Sequence, residues 1–289
     1  TGKTSSTERS EILRDLAAGK VRLLYVSPER LVRDPTLHGA LASQDLGALV
    51  VDEAHCISSW GHDFRPEFRQ VSTALLDMRR APRLALTATA TPEVARDIQV
   101  TLEMEDPLER REPVDRPDLR YWVRRVRSDA DRTRELLRFV TFQGDRPGIV
   151  YASRRAVTEE LAWILRHAGL TARAYHAELP PEQREAIQDD FLAGTTQVVV
   201  ATKAFGMGIN KPDIGWVVHY DLPESLEAYA QEAGRAARSP ELTGDCVLFF
   251  HGGDVTRRRR QARARSIDED ADLARRLLAA IAAAPERAP

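Results

Sequence analysis

The chain has 289 residues, enough for two domains of ordinary size, and its 43 % apolar and 30 % charged residues suit a soluble globular protein. A formal net charge of −2 excludes a globally basic surface, so any contact with nucleic acid has to be local. No apolar run nears the ~20 residues that cross a bilayer, no basic and apolar leader opens the chain, and two cysteines, Cys56 and Cys246, exclude a disulfide framework or a four-cysteine zinc site. A reducing cytoplasm fits.

The first element is a helix. Ser5 and Glu8 have the spacing of a capping box, Ile12, Leu13 and Leu16 follow at helical intervals, and Gly19 stops the run. Residues 21–26, all but one apolar, read as a buried strand that ends at Ser27-Pro28. A second strand runs from Ala48 to Val51 and a third from Arg83 to Ala90, and Thr91-Pro92 then caps a helix. Residues 105–120 are rich in proline and charge and read as a linker. Strand and helix then alternate again: strands at 148–151, 171–176, 197–202, 216–220 and 246–250, and helices at 156–169, 181–192 and 226–237. Such alternation argues for parallel sheets. The expected fold is α/β, with a first lobe over 1–112, a second over 113–252 and a helical, Arg-rich tail over 253–289. The tail joins Arg257–Arg260 to Asp268-Glu269-Asp270 and reads as a solvated helix of mixed charge.

Chemistry concentrates at a few strand ends. Leu49-Val50-Val51 runs into Asp52-Glu53-Ala54-His55, so a buried strand delivers Asp52 to a hydrated Mg²⁺ and Glu53 to a water. The next loop carries Trp60, His62, Phe64 and Arg65, the flat rings and guanidinium that stack on unpaired bases. Thr87 and Thr89 end a neighbouring strand, where two hydroxyls can relay the state of a nucleotide. Thr202 leaves another strand for a glycine-rich loop with Gly206, Gly208 and Asn210, where glycines permit close approach to a phosphate or a neighbouring loop. Gln231 to Arg238 reads as the end of a helix with Arg235 and Arg238 on one face, held open by Gly234 and Ala237 and able to stabilise charge on a transferring phosphoryl group. Thr1-Gly2-Lys3-Thr4 resembles the end of a phosphate loop. It lacks the leading glycine and preceding strand and is followed at once by a fresh helix cap, so it reads as a chance match.

Taken together, the strings Leu24–Leu31, Asp52–Pro66, Leu86–Ala90, Tyr175–Ala177, Ala201–Pro212 and Gln231–Arg238 resemble the motor core of RecQ-family DNA helicases of superfamily two, in family order over roughly residues 20–250. The resemblance implies two RecA-like parallel-sheet lobes, the first incomplete, and an ATP- and Mg²⁺-dependent enzyme. That enzyme would move 3′→5′ on single-stranded and partially duplex DNA in recombination and repair, in the cytoplasm at the bacterial nucleoid. Asp52 then holds Mg²⁺ and Glu53 activates water. His55, Thr87 and Thr89 couple nucleotide to DNA, while Gln231, Arg235 and Arg238 face the nucleotide, with Arg238 as the arginine finger. Ser58, Trp60, His62, Phe64 and Arg65, with Thr202, Gly206, Gly208 and Asn210, meet DNA. The competing readings are a non-catalytic DNA-binding remnant and an RNA helicase of a sister family, the latter disfavoured by the aromatic loop.

Ala237 and Glu178 stand where the family usually has glycine. The chain opens on Thr1 rather than Met and reads as a piece of a longer protein, without counterparts of the adenine-reading motif, the phosphate loop or a zinc region. Lobe one is accordingly expected to be unstable or aggregation-prone by itself, and lobe two to fold alone.

Overall fold

The computed structural model describes residues 5–58, 66–75, 78, 81–112, 115–206 and 209–265. The chain divides into two compact units, 1–112 and 113–289.

In the first unit α1 (Ser6–Ala17) starts from the expected capping box. The Glu8 N–H donates to Ser5 Oγ at 3.2 Å, and the Ser5 N–H to the Glu8 carboxylate at 2.8 Å. Two short helices follow, α2 (Pro28–Arg33) and α3 (Pro35–Ala42). β1 (Leu49–Val51) pairs in parallel with β2 (Arg83–Ala85), Val51 opposite Ala85, and α4 (Pro66–Leu75) and α5 (Pro92–Thr101) complete the unit. Thr91 caps α5 as its sequence implies, its hydroxyl accepting the Val94 N–H.

One face of this sheet is covered by a cluster that includes Leu16, Leu41, Ile57, Phe68, Leu75, Val94 and Ile98. On the other side Val50, Leu84 and Leu86 are 57 %, 49 % and 44 % exposed. A parallel strand is ordinarily apolar because both faces are covered, so these half-exposed side chains forgo roughly half of the ~1.5–3 kcal/mol that full burial is worth.

Two strand expectations need correction. Residues 21–26 form no ladder with any described residue. Leu24 and Val26 pack on the core while Leu23 and Tyr25 face water, the alternation of a strand without a neighbouring backbone to pair with. The strand expected over 83–90 stops at Ala85, where β1, its partner among the described residues, turns away at Asp52.

The second unit is built on six parallel strands in the order β3-β8-β7-β4-β6-β5. These are β3 (Leu119–Arg125), β4 (Gly148–Tyr151), β5 (Ala172–Tyr175), β6 (Val198–Ala201), β7 (Trp216–His219) and β8 (Gly244–Phe250). The crossover helices are α6 (Asp129–Phe142), α7 (Arg155–His167), α8 (Pro181–Ala193) and α9 (Leu226–Ala233), and α10 (Gly252–Arg265) follows β8. Every residue of β4, β6 and β7 is buried, and their side chains alternate between two cores. Ile149, Val199 and Val217 meet α8 and α9 on one face; Val150, Val200 and Val218 meet α6 and α7 on the other. β3 and α6 have no counterpart in the sequence reading. β3 is an edge strand with three exposed residues and four charges or tyrosine among seven, so it lacks the apolar run of its neighbours.

Candidate functional site

In the first unit the chain leaves β1 through a sharp turn. Glu53 takes a left-handed backbone, φ 50° and ψ 41°, and a 3₁₀ turn runs from Ala54 to Ile57. A left-handed non-glycine residue costs about 1–2 kcal/mol, and here the turn brings three motif residues together. Asp52 stays exposed at the strand end, with one carboxylate oxygen accepting the Glu53 N–H at 2.9 Å. The His55 ring is buried, and its Nδ1 lies 3.4 Å from Glu53 Oε2 and 3.1 Å from Thr87 Oγ1. Thr87 Oγ1 in turn accepts the Thr89 N–H at 3.2 Å. One imidazole therefore joins the carboxylate after β1 to the hydroxyl after β2. Two backbone bonds hold the strand ends in step, Leu86 N–H to Val51 O and Ala54 N–H to Leu86 O, both 2.9 Å. Ser58 is fully buried, its N–H donating to His55 O.

In the second unit the arginines lie beyond a helix rather than on its face. α9 stops at Ala233, Gly234 caps it, and Arg235 to Arg238 form a turn with Ala237 left-handed at φ 49°. The expectation of an open helix face thus fails: Ala237 is buried, and the two arginines point to different partners. Arg235 is buried and donates to Gly206 O. Arg238 donates to Ile209 O at 3.2 Å and Asn210 Oδ1 at 3.4 Å. Burial, then the neighbouring charges of Arg235 and Arg116, hold the Arg238 pKa below its ordinary value. Gly206, at φ 128°, has no room for a side chain: a Cβ there would lie 2.2 Å from Arg235 Cζ. Its close approach is to the neighbouring loop, one of the two roles its sequence allows.

Arg116 is a residue the sequence reading passes over. It lies in the Pro-flanked stretch before β3, yet its guanidinium donates to the carbonyls of Gly234 at 3.4 Å, Ala236 at 3.2 Å and Ala237 at 2.9 Å. These carbonyls at a helix end need donors. Asp118 orients it through two bonds, 3.0 and 2.6 Å. The hydrogen bond to Asp118 raises the Arg116 pKa, and the reciprocal bond lowers that of Asp118.

Under the turn, Tyr151 donates to Phe205 O at 3.1 Å and stacks on His219, whose Nε2 meets Glu232 Oε2 at 2.9 Å. Burial pushes the Tyr151 phenol well up and the Cys246 thiol up to about 12. Thr202, half-buried, donates its N–H to Tyr175 O at 3.1 Å and accepts that of Phe205. Gln231 is half-buried on α9.

The start of α10 is docked rather than freely solvated. Asp254, almost fully buried, meets Arg132 at 2.7 Å and Arg257 at 3.3 Å. Asp221 meets the same two arginines, both at 3.2 Å, and accepts the Ser153 N–H at 2.8 Å. Arg258 donates to Leu222 O at 2.8 Å.

The structure thus brings Asp52, Glu53, His55, Thr87 and Thr89 together in one unit. It brings Gly206, Asn210, Arg235 and Arg238 together in the other. Trp60, His62, Phe64, Arg65, Gly208 and the Thr1–Thr4 string lie outside the described residues. Among the described residues no group of three or more metal-ligating side chains occurs, and no helix is long and apolar enough to cross a membrane.

The profile of the DEAD/DEAH box helicase family matches residues 1–98, and that of the helicase conserved C-terminal domain matches 131–240. The chain is 42 % identical over 248 residues to the ATP-dependent DNA helicase RecQ of Pasteurella multocida, covering 86 % of the chain and 38 % of the relative. It is 40 % identical to the RecQ of Haemophilus influenzae, with 86 % and 39 % covered, so it spans about two fifths of the length of these relatives. Among solved structures, Mycobacterium smegmatis helicase Lhr bound to ssDNA and AMP-PNP superposes with a TM-score of 0.69 over 88 % of this chain and 34 % of that one, at 23 % identity. Saccharomyces cerevisiae Dbp5 bound to RNA and ADP BeF3 gives 0.64 over 81 % and 61 %, at 19 % identity. These two share the fold, a pair of RecA-like lobes. The family profiles and the RecQ relatives together place the chain in the RecQ family of superfamily-two helicases.

Proposed function

We propose that the protein containing this chain is an ATP-dependent 3′→5′ DNA helicase acting in recombination and repair, in the cytoplasm at the nucleoid. Residues 1–112 are its first motor lobe, 113–252 its second, and 253–289 a tail that is helical to Arg265, its remainder lying outside the described residues. The observation that carries the reading is the Glu53–His55–Thr87 contact: a carboxylate suited to a nucleotide's water is wired to a neighbouring strand end.

Mg²⁺ binds NTP sites through one or two carboxylates plus substrate phosphates, and the exposed Asp52 at the end of β1 suits that need. When bound with ATP, the ion neutralises charge on the phosphates during transfer. Glu53 accepts a proton from the attacking water, and the left-handed turn fixes where its carboxylate points. His55 carries the position of Glu53 to Thr87 and Thr89, and from there to Ser58, Trp60, His62, Phe64 and Arg65 on single-stranded DNA. In the second lobe Arg238 acts as the arginine finger, with Arg235 and Gln231 in support. Arg235 locks the Arg turn to the loop from Thr202 to Asn210, which contacts DNA through Thr202, Gly206, Gly208 and Asn210. Nucleotide state and grip on DNA are then two readings of one turn. The relatives' printed names, which specify ATP-dependent DNA helicases, support the substrate class.

The test is strand displacement by the full-length protein on duplexes with a 3′ or a 5′ single-stranded tail. Unwinding of the 3′-tailed duplex alone, and only with ATP and Mg²⁺, is expected. Equal use of both tails, or displacement without ATP, contradicts it.

A further inference from the structure

β4, β5, β6 and β7 run parallel, so the loops that leave them share one edge of the second-lobe sheet. Ligands of open α/β sheets bind at such an edge. Two cations there are already matched by acids of the same lobe. Arg155, the first residue of α7 after β4, pairs with Glu178, which lies just beyond β5. Lys203, just beyond β6, pairs at 2.8 Å with Glu224 in the loop after β7. Each pair joins loops from different strands, so neither is a by-product of helix periodicity. Both are open to water: side-chain exposures are 58 % and 65 % for the first pair, and 61 % and 38 % for the second. Pairs this exposed add little to folding. They do decide what the cations are free to do.

We infer that Glu178 and Glu224 are built-in competitors of DNA phosphate, which set the affinity and salt dependence of single-strand binding on the second lobe. The inference rests on the nucleic-acid reading above. A carboxylate and a phosphodiester oxygen accept from the same guanidinium or ammonium N–H groups. To bind DNA, Arg155 or Lys203 must give up its glutamate, so one ion pair is exchanged for another. The displaced carboxylate then stands beside the incoming phosphates and repels them. Grip on the strand is thereby weakened at two points, as a motor that must release DNA in each cycle requires.

The experiment measures binding of a fluorescein-labelled oligodeoxythymidine to the full-length protein and to its Glu178→Gln and Glu224→Gln variants across a salt series. Asp190→Asn is the control. Asp190 pairs with Arg173 early in β5, at the opposite edge of the sheet, so it loses the same charge without freeing a cation of that edge. Each edge variant is expected to bind about two- to five-fold tighter at low salt, the worth of an exposed pair. The slope of log K against log salt should steepen by about 0.7 for each freed cation. If the wild type binds but neither edge variant tightens or steepens beyond Asp190→Asn, the inference is overturned and the nucleic-acid reading stands. If neither the wild type nor any variant binds at low salt, that reading falls and the inference with it.

Discussion

Replacing Gly206 by alanine probes the link between the Arg turn and the loop after β6. A Cβ at this position meets Arg235 Cζ at 2.2 Å, Nε at 2.4 Å and Nη2 at 2.6 Å. Arg235 is buried among its neighbours and cannot simply swing into water. Two costs combine. The backbone at φ 128° is a glycine conformation, and forcing an L residue into it costs about 1–3 kcal/mol. Expelling the guanidinium breaks a charged hydrogen bond to Gly206 O, about 1.5–3 kcal/mol. The sum, about 2.5–6 kcal/mol, is a large part of a domain's stability, so the turn should open before the sheet does. Gly194 gives the matched control. It sits at φ 81° with nothing within 4 Å of an added Cβ, so Gly194→Ala carries the backbone cost alone. Hydrogen exchange read on peptides over 202–212 and 230–240 should speed by more than about a hundredfold in Gly206→Ala, at roughly tenfold per 1.4 kcal/mol. Exchange in β4 should barely change. If those peptides exchange as in the wild type, Arg235 does not lock the two segments and the reasoning fails.

Arg116→Met removes the donor to three carbonyls of the turn; exchange over 234–238 should rise about thirtyfold, for about 2 kcal/mol lost, and unchanged protection there would show the contacts to be idle. Asp118 titrates below its ordinary value because of Arg116. A depressed carboxylate contributes fully above its unfolded pKa and loses that contribution as pH falls through the folded one. Stability of the second lobe should therefore decline below about pH 4, and Asp118→Asn should lessen that acid slope in urea titrations; an identical slope in the variant would count against the assignment. Arg132 is 1 % exposed between Asp221 and Asp254. Arg132→Met strands two buried carboxylates and should cost about 3–5 kcal/mol in urea unfolding followed through β4 and β7 amides; a loss below about 1 kcal/mol would mean that Arg257 alone suffices.

What could be read in the sequence was mainly local. The Ser5–Glu8 box and the Thr91 cap depend on residues three apart, and both form. β4, β6 and β7 announce themselves because strands buried on both faces are apolar throughout. Residues 21–26 have the same composition but no ladder, since a strand also needs a neighbour and composition is silent about neighbours. The polar edge strand β3 escaped for the opposite reason. At the site, Asp52, Glu53 and the arginines are legible as residue types, while their geometry is not. Gly234 marks where the helix ends, but nothing in Arg235-Ala236-Ala237 signals the turn that follows, because alanine is not the residue expected in a left-handed backbone. Arg116 was hidden because the carbonyls it donates to lie more than a hundred positions away.

The proposal stands or falls on whether Glu53 and Arg238 are each needed for DNA-stimulated ATP hydrolysis by the full-length protein. It is tested most directly by measuring phosphate release from ATP by the full-length protein with and without single-stranded DNA, for the wild type, Glu53→Gln and Arg238→Ala. Hydrolysis should depend strongly on DNA, and Arg238→Ala should lower it about 10³-fold or more, the usual worth of an arginine finger. Glu53→Gln should hydrolyse little while still binding the strand. A wild type that hydrolyses equally well without DNA, or a Glu53→Gln variant as active as the wild type, would contradict the account.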